Sequence, residues 1–225
     1  MKAPLPSNEA DRLNALQQYE ILNTPPEEAF DDLTRLAAHI CRTPTALISL
    51  VDTSRLWFKS KVGMDALETP RDVAFCAHAI LEPDMLVVRD ASQDSRFADN
   101  PLVTTDPKIR FYAGAPLITL NGLRLGTLCV IDYMPRDFAI KQQEALRILA
   151  RQVMTQLTLR RGLDELTQCI AFKVSESELI ALENYCKHYQ RTKTEWLRKL
   201  IRSLPTYTDS SNSCNTSDDM RSVSK

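Results

Sequence analysis

The sequence predicts an α+β fold, an antiparallel sheet flanked by helices, and three features carry that prediction. Residues 45–52 (TALISLVD) form an apolar, partly β-branched run of the length of a central strand. Residues 111–120 and 123–132 are two β-rich runs around Asn121-Gly122, a pairing that tolerates the positive φ of a tight hairpin turn. Apolar residues recur at helical spacing both before the first strand and after the hairpin, so helices and strands share one domain.

The elements follow in order. Residues 8–22 place Leu13, Leu16, Ile21 and Leu22 at helical spacing. Thr24-Pro25-Pro26-Glu27 reads as a helix start, with Thr24 as cap, Pro25 at the first helical position and Glu27 completing a capping box. The helix it opens presents Phe30, Leu33, Leu36, Ala37 and Ile40 on one face and stops near Arg42. Residues 56–62 alternate as a strand and end at Gly63. Residues 71–81 predict a short helix, 85–89 a short strand, and 92–105 a polar loop with one helical turn. After Pro135 a helix runs from about Asp137 toward Arg161. Its Leu146, Leu149, Val153 and Leu157 make a narrow seam suited to pairing with another helix. Gly162 marks a boundary.

Composition narrows the function classes. The chain of 225 residues has a net charge of −1, so any attraction to nucleic acid or a membrane must come from a local patch. No run approaches the roughly 20 apolar residues of a membrane span, and the N-terminus lacks a signal-peptide run; a cytoplasmic protein with no membrane association is expected. The six cysteines lack CxxC spacing and mostly sit in apolar stretches, which fits reduced, buried thiols. Ser-His-Asp spacing, a phosphate loop and a metal motif are all missing, so no catalytic residue is identified and no enzyme is expected. Cys76 and His78 make two ligands where a metal site needs three or four, so neither metal nor cofactor is expected. Pocket lining and simple core packing remain alternative readings of this pair.

The runs RLNALQQYEIL, LISLVD, WFKSKVG, FCAHAI, DASQDSRFADNPLV, RFYAGAPL and GTLCVID, taken in order, resemble a GAF domain of the kind found beside bacterial sensor kinases and diguanylate cyclases. The resemblance spans residue 8 to about residue 160. It implies a six-stranded antiparallel sheet and a small-molecule pocket between its face and the loops near residues 75–80 and 111–114. The implied lining is Phe75, Cys76, His78, Asp90, Phe111, Tyr112 and Gly114. Bilin-carrying members place the chromophore cysteine directly before a histidine, whereas Ala77 intervenes here, and no cyclic-nucleotide motif is evident.

The resulting division is a sensory domain over 1–161, a linker over 162–168, a second module over 169–205 and a disordered tail over 206–225. The second module reads as a strand (CIAFKV), a helix opened by the capping box Ser175-Glu176-Ser177-Glu178, and a helix opened by Thr192-Lys193-Thr194-Glu195. One strand cannot satisfy its own hydrogen bonds, so pairing with a second copy, a homodimer, is expected. The pattern resembles a ribbon-helix-helix domain, a class of DNA readers. That resemblance implies Cys169, Ala171 and Lys173 facing the major groove, Lys173 making the main contact, and Thr192, Lys193 and Thr194 meeting phosphate. The expected function is therefore a homodimeric, ligand-responsive transcription regulator on a palindromic site. The alternative is a sensory adaptor whose C-terminal module dimerises or docks a protein partner.

Overall fold

In the computed structural model, which describes residues 2–167, 175–189 and 192–193, six strands form one antiparallel sheet in the order β3-β2-β1-β6-β5-β4. They are β1 (Thr45–Val51), β2 (Arg55–Val62), β3 (Glu68–Pro70), β4 (Leu86–Val88), β5 (Phe111–Ile118) and β6 (Arg124–Asp132). Helices α1 (Glu9–Gln18), α2 (Glu28–Cys41), α3 (Phe75–Ala79), α4 (Pro101–Thr104) and α5 (Ile140–Thr167) complete the first unit. The β5–β6 hairpin turns at Gly122, whose φ of 79° suits a residue without Cβ.

Alternation along the strands divides the buried side chains into two cores. Ala46, Ile48 and Leu50 of β1, Phe111, Ala113 and Ala115 of β5, and Leu128 and Val130 of β6 face α1, α2 and α5. Leu47 and Val51, Leu56 and Phe58, Tyr112, and Cys129 and Ile131 face α3 and the loops on the other side. Leu146, Leu149, Val153 and Leu157 of α5 are buried in the first core. This corrects the expected pairing seam: a helix lying on a sheet needs an apolar stripe of similar width, and the sheet takes it. Each such side chain contributes roughly 1.5–3 kcal/mol on burial. Nor does α5 stop at Gly162; it runs on to Thr167.

The start of α2 also departs from the sequence reading. The helix begins at Glu28, and no side chain caps it. Thr24 instead donates to the Ile21 carbonyl at 2.7 Å, and Glu27 accepts from Lys59 Nζ at 2.6 Å. Lys59 has no solvent-exposed side-chain surface. Its ammonium also reaches Thr24 Oγ1 at 2.9 Å and the Pro25 carbonyl at 2.7 Å. Ile48 pairs with Ser60 and Ser49 with Phe58, so Lys59 is the extra residue of a β-bulge. The bulge lets Ser60, which donates to Asp31 of α2 at 2.6 Å, share the helical side with Lys59.

The second unit is described over α6 (Glu176–His188) and a few neighbours. Its capping box forms as expected, with Ser175 and Glu178 each bonding the other's backbone N–H. Lys193 Nζ pairs with Glu183 at 2.6 Å. The strand beginning at Cys169 and the helix following Thr194 lie outside the described residues.

A second charged network closes the end of the first unit near α1. The buried Arg12 donates to the Val51 carbonyl at 2.6 Å and to Glu9 at 2.8 Å. Arg71 reaches the same carboxylate at 2.5 Å. Burial disfavours ionised Glu9, but hydrogen bonds from Arg12 and Arg71 outweigh it and lower its pKa from 4.5 to about 2. A depressed folded-state pKa adds stability that is complete above the unfolded value and disappears as pH falls through the folded one. Glu9 therefore contributes on the order of 3 kcal/mol at neutral pH, lost between pH 4.5 and about 2. Glu9→Gln should be less stable at pH 7 and show a flatter stability–pH slope in that window; urea unfolding at stepped pH measures both.

Candidate functional site

The face of the sheet opposite the long helices holds the chemistry. Here α3 crosses β1, β6 and β5, and a cavity of about 360 Å³ opens between them. Its walls include Leu47, Leu56, Phe58, Phe75, Ile109 and Ile131, and Asp65, Ala66 and Thr69 sit among its more exposed lining. Neither Lys nor Arg lines it.

Polar groups concentrate at one point of the wall. The Ser49 hydroxyl donates to Cys76 Sγ at 3.1 Å and lies 3.0 Å from the Thr127 hydroxyl. Tyr112 donates to the same sulfur at 3.4 Å, and Cys129 Sγ is 3.9 Å from it. All five residues are buried. Burial opposes ionisation of Cys76, but hydrogen bonds from Cys129, Ser49, Thr127 and Tyr112 hold its thiol below the ordinary range. Cys129 moves the other way, raised by its hydrogen bond to Cys76 and by burial. Burial also raises the Tyr112 phenol. The hydroxyls of Ser49 and Tyr112 thus converge on the Cys76 sulfur, with the Cys129 sulfur beside it.

Of the residues named from sequence, the structure brings Phe75, Cys76 and Tyr112 together on the cavity. Phe111 lies on the opposite face, 5.4 Å from Phe138 between ring centres. Adjacent strand residues point to opposite sides, so Phe111 and Tyr112 cannot share one pocket. His78 packs edge-on against Phe97 at 4.8 Å, away from the cavity lining. Asp90 closes a turn by accepting from the Ser92 N–H and hydroxyl at 3.0 and 2.7 Å. Gly114 acts indirectly, because a Cβ there would stand 2.2 Å from the Tyr112 hydroxyl. Sequence reading passed over Ser49, Thr127 and Cys129. Their signal was present: polar residues in the middle of otherwise apolar strands require a buried partner.

In the second unit, Lys193, expected at a phosphate, is paired with Glu183, and Thr192 is exposed. Cys169, Ala171, Lys173 and Thr194 lie outside the described residues. Among the described residues no three or more His, Cys, Asp or Glu side chains gather as a metal site, and no helix is long and apolar enough to cross a membrane.

Comparison with known proteins matches the GAF domain family model to residues 25–157. Over 159 residues the chain is 45% identical to a cyclic di-GMP phosphodiesterase of Pseudomonas aeruginosa, a match covering 70% of this chain and 27% of that protein. Among solved structures, the GAF domain of an Acinetobacter phosphoenolpyruvate-protein phosphotransferase superposes with a TM-score of 0.52 at 16% identity, covering 70% of this chain and 97% of that one. The corresponding domain of Coxiella burnetii gives 0.50 at 16% identity, covering 71% and 99%; both likenesses concern the fold alone. The match to the phosphodiesterase overturns the expected DNA-bound transcription regulator, since it points to a GAF signalling protein and favours the adaptor alternative. Through the shared part the chain is also related to an enzyme, which stands against reading it as unconnected with catalysis.

Gly114→Ala should force the Tyr112 ring off Cys76 and destabilise the domain by about 1–3 kcal/mol. Urea unfolding measures the loss, and an unchanged midpoint would show that Gly114 does not seat that ring.

Proposed function

Because this chain belongs to the GAF domain family, we propose that it is a sensory signalling protein that binds a small, largely apolar molecule in the α3 cavity and acts through a protein partner in cyclic-dinucleotide signalling. The observation that carries the ligand class is the lining: apolar walls, a few hydroxyls, the Cys76 thiol, the exposed Asp65 carboxylate, and no Lys or Arg. A phosphate diester would find no counter-charge there, and buried unpaired charge is expensive. The signalling setting is supported by the relative, itself a cyclic di-GMP phosphodiesterase that shares the sensory part. On this reading cyclic di-GMP is handled elsewhere in the pathway, and the cavity senses something else.

A homodimer belongs to the same proposal. Ile148 and Leu159 are exposed on α5; eleven residues apart, they lie about three turns along one side of the helix. That stripe supports pairing with α5 of a second copy. Ile148→Lys with Leu159→Lys should convert a dimer seen by sedimentation of the full chain into a monomer.

Ligand class is tested by thermal unfolding against a panel of small neutral aromatic and aliphatic compounds, with cyclic di-GMP as comparison. A compound at one hundred times its Kd stabilises by about 2.7 kcal/mol, a rise of a few degrees in Tm. Ala66→Trp, at an exposed position of the lining, should abolish the rise without lowering the unliganded Tm. Stabilisation by cyclic di-GMP and by none of the neutral compounds would refute the assignment.

A further inference from the structure

We propose that Cys76 and Cys129 form a peroxide-reactive thiol pair, in which Cys76 is oxidised from the cavity and Cys129 resolves it to an intramolecular disulfide. Three features converge on this. The two sulfurs lie 3.9 Å apart in the buried core on that face of the sheet. Hydroxyls of Ser49 and Tyr112 both point at Cys76 Sγ, the arrangement that stabilises a thiolate, which is the nucleophilic form. Cys76 also lines the cavity, whereas Cys129 does not, so a small hydroperoxide entering there meets Cys76 first.

The chemistry balances with a hydroperoxide as oxidant. The Cys76 thiolate attacks the peroxide; an S–O bond forms, the O–O bond breaks, and the departing oxygen takes up a proton as water or an alcohol. Cys76 is left as a sulfenic acid. Cys129 sulfur then attacks Cys76 sulfur; the S–S bond forms, the S–O bond breaks, and the thiol proton leaves with the hydroxide as water. The two thiols supply the two electrons that reduce the peroxide. A disulfide requires sulfurs about 2 Å apart, so Cys76 and the short α3 that carries it must move toward β6. Since α3 also forms a cavity wall through Phe75 and Cys76, oxidation would reshape the cavity. The proposal does not depend on a ligand occupying that cavity.

The experiment treats the full-length reduced protein with hydrogen peroxide and maps its cysteines by mass spectrometry under non-reducing conditions. The expected result is a Cys76–Cys129 cross-link, formed in preference to any bridge involving Cys41, Cys169, Cys186 or Cys214 and reversed by dithiothreitol. Cys129→Ser should accumulate Cys76 sulfenic acid, captured by dimedone, while Cys76→Ser should leave Cys129 reduced. Tyr112→Phe removes a donor to the thiolate, and hydrogen bonds to charged groups are worth enough that Cys76 oxidation should slow about tenfold at neutral pH. Should a variant fail to fold, the wild-type map decides by itself. Cys76 remaining reduced while other cysteines oxidise, or a cross-link elsewhere, would overturn the proposal.

Discussion

The buried ammonium of Lys59 is the interaction on which the helical layer depends. A charge taken wholly out of water is tolerated only when partners surround it, and here they come from the chain segment between α1 and α2. Satisfying Lys59 therefore fixes the path from Thr24 to Glu27 against β2. Glu27 passes the constraint on, since its carboxylate also accepts from Arg160 of α5 at 3.1 Å. Arg160 in turn reaches the Tyr19 and Glu20 carbonyls at the end of α1. One bulged strand residue thus sets the relative placement of three helices. Hydrophobic burial supplies the larger free energy, but it is non-directional and would accept several sliding arrangements.

The two faces of the sheet show different design. The helical side is filled by aliphatic and aromatic side chains, with the buried Lys59 ammonium and its partners among them. On the other side, β1 and β6 each place a hydroxyl in mid-strand, Ser49 and Thr127, beside a cysteine on β6 and a tyrosine on β5. Such groups cost free energy when left unpaired in a dry interior. Their mutual hydrogen bonds remove that cost and focus donors on one sulfur. An inert core would have been filled more simply by Val or Leu at these positions.

Most of the fold was legible because periodicity and turn chemistry agree. The strands β1, β2, β5 and β6 and the helices α2 and α5 all lie where alternation or helical spacing put them, within a few residues. What could not be read was whatever depends on a long-range partner. Thr24 and Glu27 carry a complete local capping signal, yet Lys59, more than thirty positions away, diverts both. The bulge at Lys59 is likewise silent in a run that alternates acceptably. At the site, the resemblance to a GAF domain places the pocket near residues 75–80 and 111–114, which takes in Phe75, Cys76 and Tyr112 but groups neighbouring residues without regard to strand parity. Phe111 was included for that reason, and Cys129 was missed although it sits on the same face as Tyr112. The resemblance also places His78 and Asp90 at the pocket, whereas His78 packs edge-on against Phe97 and Asp90 closes a turn with Ser92.

The 28 residues of α5 make a rod roughly 42 Å long at 1.5 Å per residue. From Leu146 to Leu157 it lies against the core, and Arg160 clasps it to the α1–α2 segment seven positions before its last residue. A rod held in this way behaves as a lever. A tilt of about 5° where the rod leaves that clasp displaces its last residue, about 10 Å further on, by roughly 1 Å. Small rearrangements beneath the sheet need not travel as a chain of individual contacts. They need only change the angle at which the rod leaves its clasp, and its far end will carry the difference.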